Sequence, residues 1–539
     1  MHTPAIARLI ALMLACALTA CFEAKSVAGG GGIETTDGQI AAAAGGAIAA
    51  RVRLVPEGWN PMLREFPDSL TAATGDSGRY SFKDVPTGKY NLEAYAAANG
   101  TRLFSPGMAV RAGGGTLPKA ILARPGSLRL RWEGSHHGWL FIRGTTVLHR
   151  ILPAEIEAST IFIDSLPQGM LPSLRWSQAK TDTSGLPITD SLRIVSDSIT
   201  DRTVFAAWAH SGVWHTDTRA AGVSGDVADF PALVRLTAPA FDFSQAADDG
   251  SDLRFSSLSG TELPYQVERW EPKAGRAEIW VRLAKVKGGD SSAAFRMHWG
   301  NASAGGHSSG PAVFDSSAGY AAVWHLAEAA NTLPAGYRDA SPNALHGTAS
   351  ALIEPAATEA AIAGGLKLDG SKRVMVPDGK ALDIEDRISV AAWFKAEIWQ
   401  GGNRRMVQKG AGMTQYALAG YGADSVEWRL VLNGAQYSLR TPAPPLGEWH
   451  HIQGTYDGKR SILYLDGVAA ATGDISGPIG LAADSLAIGF APAGPDTQHF
   501  QGILDEITVS PVARSADWVR LAYLNQRPGS SLLTFKISE

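Results

Sequence analysis

The sequence has 539 residues, which at roughly 100–200 residues per domain implies about three to five domains. A formal charge of -4, with 19% charged and 45% hydrophobic residues, is ordinary for a globular chain and shows none of the basic character that marks a nucleic-acid partner. Cys16 and Cys21 are its two cysteines, both in the first segment, which excludes a disulfide framework, a thiolate metal site and a cysteine nucleophile elsewhere. The 59 glycines and 29 prolines suit many short strands joined by turns.

Residues 1–21 read as an export signal. Arg8 sits in a short n-region, and "LIALMLACALTA" is too short and too near the terminus to favour a spanning helix. "LTAC", Leu18 to Cys21, resembles the lipobox of bacterial lipoproteins, which implies lipidation of Cys21 and a mature chain starting there. An ordinary signal peptide cleaved at an "ACA"-type site is the alternative. Phe22 stands where an Asp often marks inner-membrane retention in Gram-negative lipoproteins, so the resemblance implies an outer-membrane, surface-exposed protein. Residues 22–45, with the run Gly29 to Gly32, then read as a flexible tether on a stable acyl anchor.

The chain from 46 to 124 reads as a small β-sandwich. In "TAATGDSGRYSFKDVPTGKYNLEAYA", Asp76-Ser77-Gly78 and "PTG" are turns, and "RYSFKDV" and "KYNLEAYA" are strands. Gly78, Tyr80, Phe82, Val85, Pro86, Gly88 and Tyr90 make it similar to the carboxypeptidase regulatory-like domain, which implies a non-catalytic spacer or docking module. "IFIDSLPQGML" aligns with "YSFKDVPTGKY", so residues 125–210 read as a second, divergent sandwich. His136 and His137 within it are adjacent and face opposite ways on a strand, which suits a surface turn rather than a chelate.

Residues 211–315 carry strands in "FPALVRL", "DLRFSS", "LPYQVERW", "AEIWVRL" and "AAFRMHWG". Together with "ADDGSDLRF" they resemble an uncharacterised all-β bacterial family, domain of unknown function 2341, with which no activity is associated. Asp248, Asp249 and Asp252 fit a solvated turn, with calcium as the alternative.

Residues 316–525 follow from "AAVWHLAE" through "GGLKLDG", "ISVAAWFKA", "WHHIQGTYDG" and "YLDGV" to "FQGILDEITVS". They resemble the laminin-G-like, concanavalin A-like jelly-roll family, which implies two curved antiparallel sheets. Asp466-Gly467 is a hairpin signal, Trp393 and Trp449 belong to the core, and Ser515 caps a short helix. Residues 526–539 read as a loose tail. The chain is therefore expected to be all-β, several sandwiches ending in a jelly roll.

Several chemistries are not encoded. Catalytic relatives on this fold carry alternate acids on one strand, since i, i+2 and i+4 share a face. "DIEDR", Asp383 to Arg387, has Asp383 and Glu385 but Arg387 in the third place, and it reads as a loop. There is no G-x-S-x-G elbow placed between strand and helix, no H-E-x-x-H and no P-loop lysine in the Gly-rich stretches. For a ligand, Trp399, Tyr421, Trp428 and Tyr437 are candidates for a sugar platform, with core packing as the alternative. For a metal, the resemblance implies a structural calcium ion held by Asp339 in "RDASPNALHG" and Asp505 in "LDEI", completed by carbonyls. Period two puts Asp505 on one face with Ile503, Ile507 and Val509, and Glu506 on the other with Leu504 and Thr508. Glu506 is then the more solvated acid. These readings favour a non-catalytic, lipid-anchored surface protein binding polysaccharide or a surface protein. A structural envelope component is the alternative, and a glycan-active enzyme is the third.

Overall fold

The computed structural model describes residues 35–132, 137–181, 184–189, 191–205, 208–355, 360–400, 402–411, 415–490 and 498–537. The export signal, Cys21 and His136 lie outside them. The chain is all-β and divides into two units, one of residues 1–57 and 66–123, the other of 58–65 and 124–539. No described helix is long and apolar enough to cross a membrane.

The first unit is a two-sheet sandwich. Arg79–Lys83 alternates exposed and buried residues, so Tyr80 and Phe82 enter the core beside Val52, Leu54 and Leu92. The Tyr90 hydroxyl donates to the Pro86 carbonyl at 2.9 Å, which closes the turn. Gly78 has φ +72, and a Cβ there would lie 2.2 Å from the Ile40 carbonyl oxygen, so only glycine fits. The expected tether is shorter than 22–45: Thr35–Ala41 is a strand paired with Arg79–Lys83, its Ile40 fully buried.

In the second unit, residues 126–204 form small sheets, with Thr160–Leu166 and Ile199–Val204 flanking Gly126–Trp132. Next comes a pair of sheets. Val227–Thr237, Arg276–Val286 and Tyr265–Glu271 form one; Arg254–Ser257, Ala293–Trp299, His210–Thr216 and Leu533–Ile537 form the other. The last of these corrects the loose tail. Residues 533–537 return to pair antiparallel with His210–Thr216, and Phe535 stacks on Trp214 at 4.7 Å.

The jelly roll follows. One sheet runs from Glu354–Pro355 through Leu366–Asp369, Gln501–Ser510, Ile388–Ala396, His450–Tyr456 and Arg460–Leu465 to Val468–Asp474, with Ala322–Trp324 also on Gln501–Ser510. The other runs from Thr348–Ala349 to Ala435–Pro442 through Arg405–Lys409, Tyr416–Tyr421 and Ser425–Leu432. Asp466 and Gly467 take positive φ in the hairpin, and the Ser515 hydroxyl accepts from Trp518 N–H, as the sequence suggests.

Ile388–Ala396 is buried on both faces. Val390, Ala392 and Phe394 join the core between the sheets. Trp393 faces the other way, into a core shared with the preceding domain and the helix Ala516–Gln526, where its Nε1 donates to Gln526 Oε1 at 2.8 Å. Asn525 of that helix accepts from Leu233 N–H at 2.6 Å and donates to Leu233 O at 3.1 Å, as a strand neighbour would. The jelly roll and the domain before it are thus one welded body.

Candidate functional site

The four aromatic candidates do not form a row. Trp428 lies in the core, its Nε1 donating to Ser461 Oγ at 3.0 Å. Its ring lies against Gly454, where a Cβ would be 2.0 Å away. Trp399 is also buried, edge-on to Phe394, and donates to the Pro444 carbonyl at 3.1 Å. Neither indole is available to a ligand, because the core needs their area. Tyr421 is half-buried under the Arg440 guanidinium, 3.4 Å from its ring centre. Tyr437 is 42% exposed but opposes Leu430, whereas Arg440 opposes Glu427 on the other face. On that face Glu427 is fully buried and accepts from Arg405 at 3.1 Å, Arg440 at 3.3 Å, and Arg429.

Loops at one end of the jelly roll enclose an open groove of about 1010 Å³, large for a small-molecule site. Asn343, Asp383, Glu385, Asp386, Arg387 and Asp457 line it. The "DIEDR" segment is the loop the sequence suggests, following a short turn of helix at Lys380–Leu382. Its Asp383 is held 3.6 Å from the buried Lys409 ammonium. Burial raises the Asp457 carboxyl, but the N–H groups of Lys459 and Arg460 outweigh that and hold it below the usual carboxylate range.

The two acids proposed for calcium have different surroundings. Asp339 is saturated: Oδ1 accepts from Val323 N and Ser341 N, and Oδ2 from Ser341 Oγ and Leu345 N, all at 2.8–2.9 Å. In the Asp248–Asp252 turn, Asp252 is buried rather than solvated and is likewise satisfied, accepting from the N–H groups of Ala247, Gly300 and Asn301. Asp505 is fully buried, with Oδ2 accepting from Ile362 N at 2.8 Å and Oδ1 without a partner.

The face assignment of Asp505 and Glu506 requires correction. Asp505 opposes Trp393 but Thr508 opposes Ala391, so the strand Gln501–Ser510 carries one extra residue. Glu506 takes it up, at φ +48. Leu504, Ile507 and Val509 thereby all reach the inter-sheet core, and both acids turn to the opposite face. A β-bulge breaks the period-two rule on which the expectation rested. Glu506 is 4% exposed rather than solvated, and its Oε1 lies 2.6 Å from His325 Nδ1.

A third acid meets them from the preceding domain. In Tyr265–Glu271, Val267 opposes Ile279 and Arg269 opposes Glu278, so Glu268 is also the extra residue of a bulge. Its side chain is 3% exposed, with Oε2 3.7 Å from His325 Nδ1. Trp280 Nε1 donates to the same oxygen at 2.6 Å, and Oε1 is buried without a partner. His325 Nε2 faces Gln266 Oε1 at 3.3 Å, and its ring stacks on Trp280. Burial pushes Glu268 up to about 8, His325 and Trp280 opposing this and Glu506 adding to it. Burial lowers His325, but Glu506 and Glu268 prevail and carry it up to about 9. Burial, then Glu506 and Glu268, raise Asp505 well above the usual range. Sequence reasoning missed Glu268 and His325. The signals available were Glu268 within the strand "LPYQVERW" and the adjacent Asp505 and Glu506 within the apolar run "ILDEITV".

Two family models match parts of the chain. Residues 368–520 match the Concanavalin A-like lectin/glucanases superfamily, and residues 249–320 match a domain of unknown function, DUF2341. No curated protein matches the chain. Among solved structures, the binding domain of Paraclostridial Mosquitocidal Protein 1 is 12% identical over 37% of this chain and 52% of its own, at a TM-score of 0.31. The botulinum neurotoxin serotype D ligand binding domain, in complex with N-acetylneuraminic acid, is 13% identical over 38% of this chain and 50% of its own, TM-score 0.32. Domain 4 of the GH43 extracellular arabinanase AbnA from Geobacillus stearothermophilus, with arabinotriose, is 21% identical over 34% of this chain and 90% of its own, TM-score 0.29. The chain thus spans about half the length of the toxin domains it matches.

Proposed function

We propose that this is a non-catalytic surface lipoprotein, anchored through Cys21 in the outer membrane, whose jelly roll binds carbohydrate in the loop-end groove. The groove itself carries this reading. It is open, large enough for several sugar rings, and lined by carboxylates, an amide and a guanidinium, groups that exchange hydrogen bonds with hydroxyls. Glu385, Asp386 and Arg387 are exposed there. The N-terminal sandwich, with its regulatory-like sequence pattern, serves as a non-catalytic spacer or docking module.

The test is a glycan array with the full chain, because residues 533–537 complete the neighbouring domain's sheet and a fragment ending at 525 would lose them. Binding to at least one polysaccharide class is expected. Asp386→Asn with Arg387→Gln should weaken it about tenfold or more, from the loss of charge-assisted bonds of roughly 1.5–3 kcal/mol each. No glycan bound, or binding untouched by these changes, contradicts the reading and favours a structural envelope role.

A further inference from the structure

Glu268, His325 and Glu506 come from three separate segments and converge where the jelly roll meets the preceding domain. One donor atom from each lies within 4.8 Å of the others. Three features set the cluster apart from an ordinary buried ion pair.

The first is backbone geometry. Both glutamates are the extra residues of β-bulges, one in each domain. Bulges re-aim side chains and are concentrated next to functional sites. Glu506 also holds a left-handed φ of +48, a strained choice for a residue other than glycine.

The second is charge. Glu278 is matched by a two-pronged contact with Arg269, at 2.6 and 2.7 Å. That leaves Glu268, Asp505 and Glu506, with Glu328 also acting on His325. Facing them are His325, when protonated, and Arg235, which donates to the carbonyls of Asn525, Gln526 and Ala361. Were all of them ionised, the carboxylates would outnumber the two cations, and protons or a bound cation must make up the difference. Buried charge of one sign is costly unless matched.

The third is the arrangement of the outer partners. His325 turns Nδ1 to both carboxylates and Nε2 to Gln266 Oε1. Metal-bound histidines show this pattern, one nitrogen ligating and the other donating to an oxygen that fixes the ring. Trp280 steadies Glu268 in the same way, and Glu268 Oε1 is buried and unpartnered.

We infer that Glu268, His325 and Glu506 form a binding site for a divalent transition-metal ion, zinc above all, that clamps the jelly roll to the preceding domain. One imidazole and two carboxylates suit zinc, whereas calcium prefers six to eight oxygens. A cavity of about 20 Å³ beside Glu506, also lined by Gln453 and His451, is the size of one water. The 2.6 Å contact between Glu506 and His325 would widen to roughly 3.3 Å, the edge of a tetrahedron with bonds near 2.0 Å.

Zinc content and thermal unfolding of the full chain test this. The expected result is about one zinc per chain after dialysis in metal-free buffer, its removal by a strong chelator lowering Tm and added zinc restoring it. Cobalt loaded in its place should show visible d–d absorption. His325→Gln should retain no zinc. Gln266→Ala, which leaves the ligands in place, should bind zinc about 10–100-fold more weakly and still fold. A wild-type chain that neither holds nor takes up zinc or cobalt overturns the inference, and so does equal zinc in His325→Gln. In either case the cluster is a proton-held ionic knot.

Discussion

Each sheet of the jelly roll carries a buried charge cluster, and the two are balanced in opposite ways. At Glu427 one carboxylate meets three arginines, all from its own sheet. At Glu506 carboxylates exceed cations, and the partners come from another domain. The first cluster is self-sufficient and fixes strands that the local sequence already pairs. The second depends on a contact between domains, and it leaves buried carboxylate oxygens without donors. Strain is also distributed unequally: the strand bearing Glu427 pairs in unbroken register with its neighbours, whereas Glu506 and Glu268 both stand on bulges.

The largest expected effect is at the self-sufficient cluster. Glu427→Ala leaves Arg405 and Arg429, both almost fully buried, without their carboxylate. A loss of about 3–5 kcal/mol is expected in urea unfolding; a loss under 1 kcal/mol would show that the arginines find water instead.

Two buried histidines differ in the same way. His325 sits among carboxylates, while His298 is buried beside Ser256 Oγ, at 3.0 Å, and stacked on Phe205. Burial, with Arg296 adding to it, pushes His298 down to about 3. It is neutral in the folded chain, and the unfolded chain takes up the proton below about 6.5. Stability therefore falls as the pH drops from about 6.5 toward 3, by roughly 2 kcal/mol at pH 5. His298→Gln should flatten that limb of a Tm series; parallel curves for the two proteins would contradict the assignment.

Asp505→Asn should change stability by less than about 1 kcal/mol, or raise it. The amide oxygen still accepts from Ile362 N–H, and one negative charge leaves a carboxylate-rich cluster. A loss comparable to that at Glu427 would erase the contrast between the clusters. The smallest effect belongs to Tyr437→Ala, within about 0.5 kcal/mol, because the ring is 42% exposed and holds no core position.

The β architecture was legible in the sequence because its signals are local. Alternation in "RYSFK", the Asp466-Gly467 hairpin and the Ser515 cap act within a few residues and appear as expected. The sites were less legible because they depend on register and on partners far along the chain. Period two assigned Asp505 and Glu506 to opposite faces, and one inserted residue put them on the same one. Trp399 and Trp428 looked available because nothing local shows which face a second sheet will cover. The tail looked loose because its partner strand lies more than 300 residues earlier. Glu268 and His325 acquire significance only once both domains are docked.

Anomalous X-ray diffraction from crystals of the zinc-loaded full chain, recorded on either side of the zinc absorption edge, tests the contrast most directly. The account predicts one strong difference peak within bonding distance of Glu268, His325 and Glu506, and none beside Glu427. A lattice with no peak at the three residues, and His325 still hydrogen-bonded to Glu506, would contradict it.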